Sequence, residues 1–530
     1  MVNDGSVTGT GSGASGRTAV HGAVSGSGTF DPLPTEISGS RRAAMDPRGD
    51  TLEARRDVEG VFGRYREIAG DFAAFVEALG RPLDPVVWAN PARLDPGELA
   101  SLLAESGLPS APVSWEPGAL RLPGVERPGL CWAHGAGLYY VQEEASLLPA
   151  RLLDARPGER VLDLCAAPGS KTARLAVAMQ NRGTLVANDR SVQRMAAVSA
   201  AIARLGLTNV TCTIGDGATY PLEAGPFDRV LVDAPCSAEG NAARNASWRA
   251  RDPEFRAWVS GQQRALLRRA ARLCRAGGRV VYSTCTLAPE ENELVLDAVV
   301  RELDGALRVV PFDAIEGLRT SPPVEAWEGR ALEREVRHAR RLWPHLSGTG
   351  GFFVAVLEKQ TPASGGGGVP ARSMGTDPRE DPSLARFTDA FGLPEDVFDG
   401  HVLLSRGRHA RLVADDHLVP NGPRHVATGL PVTRNRVGSG AKLSTAGALA
   451  FGRRASRRVL ELDLREAARF QARDPVVVDA GRVEVERGYV LARNAGHPLG
   501  LGLLRAGEGG LVLTSEYPAA WSRTTPGETT

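Results

Sequence analysis

Apolar and polar positions change their spacing at Gly158. From there to about residue 360, short apolar runs alternate with longer Ala-rich segments. Short runs of this kind are typical of buried strands, and the longer segments are typical of helices. Strand–helix alternation at this interval indicates βαβ units, so we predict an α/β fold with a doubly wound sheet. The predicted strands are Arg160–Cys165, Thr184–Ala187, Val210–Ile214, Phe227–Val232, Arg279–Ser283 and Gly351–Leu357, and the predicted helices are Ser170–Gln180, Val192–Leu205, Glu254–Cys274 and Glu290–Glu302.

The regions on both sides of this sheet differ in composition. Residues 1–52 are rich in Gly, Ser and Thr, which predicts a disordered tail, and Met45 offers an alternative start of translation. For residues 53–148 we predict a small α+β domain. Beyond the sheet region, 149–360, a linker composition over 361–382 leads to a β-rich region at 383–530. The segments that carry these predictions are the helix Val58–Leu79, the apolar segment Pro85–Trp88, the linker glycines Gly365–Gly368, and the strands Tyr489–Arg493, Leu499–Leu504 and Leu511–Ser515.

Composition limits the kinds of partner and compartment. The chain of 530 residues has a formal net charge of +1, so affinity for a polyanion must come from local patches of charge. Its six cysteines form no CxxC pair and show no zinc-ligand spacing, so we expect no metal site and reduced thiols. No apolar run approaches the roughly 20 residues that a membrane span requires, and the N-terminal residues contain no apolar signal segment. We therefore predict a cytoplasmic protein without membrane contact.

Lysine is rare in this chain, and one lysine stands in a candidate site. The chain contains only three lysines, Lys171, Lys359 and Lys442, and all its other Lys or Arg positions are arginines. We expect Lys359 and Lys442 to lie on the surface. Lys171 lies just after the first predicted strand, where a compact ammonium can reach a ligand that a planar guanidinium cannot.

The loop after the first predicted strand has the composition of a ligand-binding turn. Its small residues lead through Gly169 into a helix, whose free N–H groups can bind a ligand. The segment has neither the GxxxxGK[ST] pattern nor GxGxxG, which disfavours a pyrophosphate and favours an adenosine cofactor without phosphates. Asp189 and Asp216 follow the next two strands, and an acid at the end of the second strand is typical of ribose-binding sites. The alternative is that these acids only cap helices and turns.

Two cysteines also follow predicted strands. Asp233 and Cys236 come after the fourth strand, and Cys285 comes after the fifth. The carboxyl edge of a doubly wound sheet is where such folds bind ligands, so these thiols are candidates for chemistry. Cys131, Cys212 and Cys274 are interpreted as small buried hydrophobic residues.

At these positions the sequence resembles a known family. The runs DLCAAPGSKT, VDAPCSAEG and YSTCTLAPEENE are similar to the Nol/Nop/Sun family of RNA cytosine-5 methyltransferases. So are Gly137–Pro149 and Pro344–Ala355, which extends the resemblance over about residues 60–360. Gly488–Gly502 and the final Tyr517, Pro518 and Trp521 resemble the PUA-like ending of RsmF-type ribosomal RNA methyltransferases. The resemblance implies a Rossmann-like S-adenosyl-L-methionine methyltransferase sheet over 149–360, an RNA-binding-like domain over 53–148 and a PUA-like RNA-binding region over 383–530.

The chemistry of this family requires a covalent step. Cytosine C5 is a weak nucleophile until a thiolate adds to C6, after which C5 can take a methyl group from S-adenosyl-L-methionine. The resemblance implies that Cys285 is the nucleophile, that Cys236 assists product release and that Asp233 contacts the N3 edge of the base. The reversed assignment of the two cysteines is the alternative, because DNA cytosine methyltransferases use a cysteine in a PC motif as nucleophile.

The resemblance also implies the contacts of the cofactor. Asp189 would bind the ribose and Asp216 the adenine end, while Asp233 belongs to the cofactor site as well as to the base. Lys171 would reach either the cytosine or the carboxylate of the cofactor. The remaining contacts, to the methionine moiety, are implied for Cys165, Ala166, Ala167, Pro168, Gly169 and Ser170.

Arginines form local patches that we expect to contact RNA phosphates. The stretch 244–279 contains ten arginines and two acids, which gives it a net charge of +8. Solvated helix faces are the alternative explanation of such runs. The target base must leave its stack to reach a pocket, which favours loops or unpaired segments of RNA. The patches consist of Arg244, Arg249, Arg251, Arg256, Arg264, Arg268, Arg269, Arg272, Arg275 and Arg279, then Arg337, Arg340 and Arg341, then Arg453, Arg454, Arg457 and Arg458.

We therefore predict a monomeric enzyme that forms 5-methylcytosine in ribosomal RNA. One alternative keeps the reaction and changes the substrate to tRNA. Another is a ribosome-assembly factor that binds RNA without catalysis. The sequence departs from the family after Glu239-Gly240, where residues 241–248 displace a basic stretch, and at Gly350, where an aspartate is common.

Overall fold

The computed structural model describes residues 60–242, 252–362, 375–406, 409–434, 442–485, 487–507 and 510–522. The predicted tail with Met45, the glycines of the predicted linker, and Arg244, Arg249 and Arg251 lie outside these residues. All described residues belong to one compact unit. No helix within the described ranges is long and apolar enough to cross a membrane.

An antiparallel sheet of four strands forms the N-terminal region, in the order β2-β3-β1-β4. The predicted helix Val58–Leu79 is interrupted, because Gly70 adopts a φ of 74° and Asp71 then caps a new helix by accepting the N–H of Ala74. The elements are β1 Val86–Ala89, β2 Ala111–Pro112, β3 Ala119–Arg121 and β4 Tyr139–Gln142, with helices α1 Phe72–Gly80, α2 Pro96–Glu105, α3 Trp132–Gly135 and α4 Leu148–Leu153.

The central sheet contains the predicted βαβ units. Its strand order is β10-β14-β9-β8-β5-β6-β7-β17, where β17 is Arg424–Thr428 of the C-terminal region, and β5 to β9 run parallel while β14 and β10 are antiparallel. The strands are β5 Arg160–Asp163, β6 Thr184–Asp189, β7 Val210–Ile214, β8 Phe227–Asp233, β9 Cys274–Thr284, β10 Leu307–Val310, β11 Ala326–Trp327, β12 Arg330–Ala331, β13 Arg340–Leu342 and β14 Phe352–Lys359. The helices are α5 Ser170–Ala178, α6 Val192–Leu205, α7 Pro253–Leu273, α8 Glu293–Leu303 and α9 Pro344–Ser347.

Both faces of this sheet are buried under helices. Along β5, Val161 faces a core shared with Leu175 of α5, and the next residue, Leu162, faces a second core shared with Leu267 of α7. Successive side chains of a strand point to opposite faces, so a strand buried on both sides is apolar at consecutive positions. This explains why the strands of the sheet were predicted from continuous apolar runs. The predicted α/β fold is confirmed.

The C-terminal region is rich in strands, as predicted. It contains an antiparallel sheet of the order β15-β16-β18-β19 and a mixed sheet of the order β20-β22-β23-β24-β21. Strand β17 instead joins the central sheet by pairing with β7. The strands are β15 His401–Arg406, β16 His409–Ala414, β17 Arg424–Thr428, β18 Leu430–Arg434, β19 Lys442–Leu443, β20 Val459–Glu461, β21 Val476–Val478, β22 Gly488–Asn494, β23 His497–Gly507 and β24 Gly510–Ser515. The helices are α10 Pro382–Phe391, α11 Thr445–Phe451 and α12 Leu464–Ala472.

Candidate active site

The loop between β5 and α5 lies at the carboxyl edge of the central sheet. Gly169 adopts a φ of 107°, and a Cβ added there would lie 3.1 Å from Cα of Val198 in α6. Glycine is therefore required both by the backbone conformation and by the close approach of the helix. The N–H of Ala166 donates to the carbonyl oxygen of Asn188 at 2.7 Å, which fixes the loop to β6.

Asp189 at the end of β6 organises the same loop. Its carboxylate accepts the N–H groups of Ala167 at 3.3 Å and Ser191 at 2.9 Å, and it is only 5% exposed. Arg194 donates to the carbonyl oxygen of Ala167 at 2.5 Å and has its guanidinium 3.6 Å from Asp189. A carboxylate has about four lone-pair sites, so two acceptor positions of Asp189 are left for a ligand.

The third predicted acid, Asp216, lies at the same sheet edge and is exposed. Its carboxylate accepts the N–H of Ala218 at 2.9 Å and so caps the turn that follows β7. The capping that was considered as an alternative is thus present, and it leaves one oxygen of Asp216 for a ligand.

Asp163 at the end of β5 is a further candidate that was not among the site residues predicted from the sequence. One oxygen accepts the hydroxyl of Thr172 at 2.7 Å, and the other, Oδ1, has no hydrogen-bond partner within the described ranges although the side chain is 1% exposed. Burial is the main cause that raises the pKa of Asp163 from its ordinary value of 3.8 to about 7. The available signal was its position, because Asp163 is an acid at a strand end just as Asp189 and Asp233 are.

Asp233 forms hydrogen bonds with both Lys171 and Ser283. This group connects the loop between β5 and α5, which we call the cofactor loop, with the strand ends that precede the two cysteines. One oxygen of Asp233 accepts the ammonium of Lys171 at 2.6 Å, and the other accepts the hydroxyl of Ser283 at 2.7 Å. The Lys171 ammonium also lies 5.8 Å from the ring centroid of Phe352. Burial lowers the pKa of Lys171, but the charge and hydrogen bond of Asp233, together with the nearby Cys285, raise it by more. Lys171 therefore stays charged.

The two cysteines that follow adjacent strands are in contact. The sulfurs of Cys236 and Cys285 are 3.4 Å apart, and both side chains are partly accessible. The hydrogen bond to Cys285 and burial raise the pKa of Cys236 well above its ordinary value, so Cys236 is a thiol at neutral pH. Cys165 in the cofactor loop is likewise kept as a thiol, because burial raises its pKa. Cys212 and Cys274 are buried, as predicted, whereas Cys131 is partly exposed.

Most of the predicted arginine patches make contacts within the protein. Arg341 is the clearest correction, because its side chain is 1% exposed and forms a bidentate ion pair with Glu293 at 2.5 Å, so it cannot contact phosphates. Along α7 and the start of β9, Arg268 pairs with Glu302 and Arg275 with Asp228. The remaining internal contacts of the patches are those of Arg264, Arg269, Arg279, Arg340, Arg453 and Arg454.

Of the two other lysines, only Lys359 departs from the surface position expected for it. Lys359 is only 4% exposed and donates to the hydroxyl of Thr361 at 2.8 Å. The expectation for Lys359 is wrong because it is the last residue of β14, where alternate side chains point into the protein. Lys442 is partly exposed and pairs with Glu516 at 2.5 Å.

A groove of about 760 Å³ lies beside the cofactor loop. Pro168 of the loop lies at one side of it, and Arg127, Trp132, Arg204 and Arg469 line it together with other residues of the N-terminal and C-terminal regions. Its exposed cations are Arg127 and Arg469, which share the lining with Glu126 and Asp474. Trp132 and Arg204 are only 7% and 9% exposed, and their side chains form hydrogen bonds within the protein.

The fold thus places a loop of small residues and two adjoining thiols at the same sheet edge, the arrangement that the sequence resemblance implies for a methyltransferase. Residues 150–358 match the family model described as 16S rRNA methyltransferase RsmB/F. The chain belongs to this family of S-adenosyl-L-methionine-dependent RNA methyltransferases. The predicted resemblance to the Nol/Nop/Sun enzymes is confirmed.

Individual relatives agree with this membership. The tRNA (cytosine(49)-C(5))-methyltransferase of Pyrococcus abyssi is 34% identical over 306 residues, which are 56% of this chain and 94% of the relative. The ribosomal RNA small subunit methyltransferase F of Klebsiella pneumoniae is 33% identical over 64% of this chain and 71% of its own length. The crystal structure of PH0851 has a TM-score of 0.51 and 29% identity, and the match covers 62% of this chain and 70% of that one.

Substitution of Lys171 by arginine is expected to lower the methylation rate although it preserves the charge. The ammonium is enclosed between Asp233 and Phe352, so a planar guanidinium must displace the carboxylate. A displacement of about 1 Å costs about 100-fold in rate. The measurement is kcat/KM for methyl transfer to RNA, with Lys442→Arg as the matched control at an ion pair in the C-terminal region. Wild-type turnover in Lys171→Arg would contradict this role.

Asp163 is expected to make stability depend on pH in a defined direction. Its pKa is raised from 3.8 to about 7 in the folded protein, so the folded state binds the extra proton and loses stability as pH rises from about 4 to about 7. Asp163→Asn keeps the acceptor for Thr172 and removes this titration. The denaturant-unfolding free energy of the wild type, measured without cofactor, should therefore fall relative to that of Asp163→Asn over this pH interval. Parallel pH profiles of the two proteins would refute the assignment.

Proposed function

We propose that this protein transfers a methyl group from S-adenosyl-L-methionine to C5 of a cytosine in small-subunit ribosomal RNA. The observation that carries the proposal is the contact between the Cys236 and Cys285 sulfurs at the carboxyl edge of the sheet, where Asp233 also ends its strand. A cysteine is the side chain that can form and later release a covalent bond to a pyrimidine carbon. The relative from Klebsiella pneumoniae, named as a small-subunit ribosomal RNA methyltransferase, supports the choice of RNA.

The residues at the end of β5 and β6 fit the proposed cofactor. Asp163 aims an unpartnered oxygen into the buried end of the loop, and Asp189 keeps acceptor positions for ribose hydroxyls. Gly169 lets the backbone of the loop approach closely, and the first turn of α5 provides free N–H groups. S-adenosyl-L-methionine supplies a methyl group on a positively charged sulfur. Asp163, Asp189 and Asp233 stand at strand ends on the side of the sheet where that cofactor would lie, and Asp233 is paired there with Lys171.

Cys285 is the proposed nucleophile. Its thiol gives up its proton to solvent, its sulfur forms a bond to C6 of the cytosine, and the π electrons of the C5–C6 bond move toward C5 and the N3 edge of the ring. Asp233 is proposed to hold the N3 edge through a shared proton, and Lys171 keeps the local charge balanced. The assignment is supported by the resemblance of the motif around Cys285 to that of the family, and Cys236 lies in contact with its sulfur at 3.4 Å.

Cys236 is proposed to act in the second half of the reaction. After methylation, the C5 proton leaves to water, the electron pair of that bond restores the C5–C6 double bond, and the bond from Cys285 to C6 breaks. The thiol of Cys236 lies 3.4 Å from the departing sulfur and can donate its proton to it. Release of the product therefore depends on the contact between the two sulfurs.

The roles of the two cysteines can be separated by trapping. Wild-type enzyme should form a stable adduct with RNA that contains 5-fluorocytidine, because fluorine at C5 cannot leave as a proton does. Cys285→Ala should form no adduct. Cys236→Ala should accumulate an adduct even on unmodified RNA, since release is slowed. Denaturing gel electrophoresis of labelled RNA measures all three, and an adduct that survives Cys285→Ala would support the reversed assignment.

The identity of the RNA can be tested in cells. Bisulfite sequencing of total RNA should show that deletion of the gene removes one 5-methylcytosine from small-subunit ribosomal RNA. The relative from Pyrococcus abyssi, named as a tRNA methyltransferase, favours tRNA as the alternative substrate, and loss of methylation only in tRNA would establish it. Complementation with Cys285→Ala should restore neither the methylation nor the growth of the deletion strain. Restored growth without methylation would indicate a role in ribosome assembly.

The remaining parts of the proposal concern organisation. We assign RNA binding to the N-terminal region, 53–148, and to the PUA-like region, 383–530. Residues 149–360 form the catalytic domain, and 361–382 act as its linker. Because one chain supplies every proposed reacting group, we propose a monomer, and the free thiols of its site suit the reducing cytoplasm.

A further inference from the structure

Two hydroxyl side chains join the loops that carry the cysteines. Ser237 directly follows Cys236, and Thr286 directly follows Cys285. Their oxygens are 2.6 Å apart, and both side chains are 0% exposed. A hydrogen bond therefore connects the two loops one residue beyond the pair of sulfurs.

Backbone groups of the same loops are also tied together. The N–H of Gly240 donates to the carbonyl oxygen of Cys285 at 3.0 Å, and the N–H of Ser237 donates to the carboxylate of Glu291 at 2.9 Å. A Cβ at Gly240 would lie 1.9 Å from the carbonyl oxygen of Gly351, so the loop passes in close contact with the strand beyond it. The loop of Cys236 is thus held on both sides.

This connection extends to the N-terminal region through a buried carboxyl group. Glu239 accepts the hydroxyl of Tyr65 at 2.5 Å and the hydroxyl of Thr286 at 3.4 Å through the same oxygen. Burial raises the pKa of Tyr65 well above its ordinary value, so the phenol remains a hydrogen-bond donor. Tyr65 therefore contacts the network from outside the central sheet.

The hydroxyl pair is better suited to fix the sulfur distance than the sulfurs themselves. A thiol is a weak donor and a weak acceptor, whereas hydroxyls form strong hydrogen bonds. A buried hydroxyl that loses its partner also costs more than the bond contributes, which resists separation of the loops. The geometry points to Ser237 and Thr286 as positioning residues that hold Cys236 and Cys285 in contact, with Glu239 and Tyr65 securing the pair.

The structural part of this inference can be tested without RNA. In a glutathione buffer, the two thiols are oxidised to a disulfide while one glutathione disulfide is reduced to two thiols, and the mass of the protein falls by two hydrogens. The equilibrium reports how closely the sulfurs are held. Thr286→Val, which keeps the shape and removes the hydroxyl, should lower the disulfide formation constant about tenfold, a change of about 30 mV in potential.

Thr284→Val is the matched control for this measurement. Thr284 is also a buried threonine beside Cys285, but its hydroxyl donates to Asn292 at 2.5 Å. Its substitution removes a comparable hydrogen bond without touching Ser237, so the disulfide equilibrium should remain that of the wild type. Thr286→Ser should restore the wild-type value because it returns the hydroxyl. Equal shifts in Thr284→Val and Thr286→Val would overturn the inference. Should Thr286→Val not fold, Ser237→Ala provides the same comparison.

The catalytic part rests on the proposed function and has its own readout. If the sulfurs move apart, Cys236 can no longer protonate the departing Cys285, so the adduct with RNA should last roughly 10- to 100-fold longer in Thr286→Val. The KM for S-adenosyl-L-methionine should be unchanged. Ser237→Ala should have the same effect, and the double variant should add nothing further. A shifted disulfide equilibrium with an unchanged adduct lifetime would retain the positioning role and reject the proposed role of Cys236.

Discussion

The parallel pairing of β8 with β9 is the constraint on which the site depends. In this register Asp233 lies opposite Ser283, and both strands end at the same edge of the sheet. The residues that follow then meet in the same order, so Cys236 contacts Cys285 and Ser237 contacts Thr286. Register in a sheet buried on both faces is strongly specified, since a slip would expose apolar side chains. The apolar residues of these strands thereby bring the two cysteine-bearing loops to the same edge of the sheet.

Electrostatic balance at this edge is local. Asp233 is paired with Lys171 and hydrogen-bonded by Ser283, whereas Asp163 is buried and burial raises its pKa to about 7. Burial of a charged carboxylate costs free energy, so burial favours the protonated form of Asp163 and raises its pKa. Two acids at neighbouring strand ends thus differ in their contacts, since only Asp233 forms an ion pair with Lys171.

Much of the fold and of the site could be predicted from the sequence, for physical reasons. Strands such as β7 and helices such as α6 were predicted to the residue, because their apolar pattern is set by burial against the sheet. Cys236, Cys285 and Asp233 could be located because each follows a strand end. The partners of the arginines could not, since a charged run has the same sequence signal whether it faces solvent or a buried acid. Arg341 and Lys359 show this difference.

The pairing of β17 with β7 has a consequence for how the chain folds. Thr211 and Thr428, which share a hydrogen bond across this pair, are 217 positions apart. Until the later strand arrives, β7 is an edge strand with unpaired N–H and C=O groups, the kind of edge at which chains associate wrongly. The edge at β7 can therefore be covered only after the C-terminal region has been synthesised and β17 has paired with it. Contacts of such long sequence separation slow folding. The newly made chain therefore exposes an unpaired strand edge to association with other chains, and the folded protein does not.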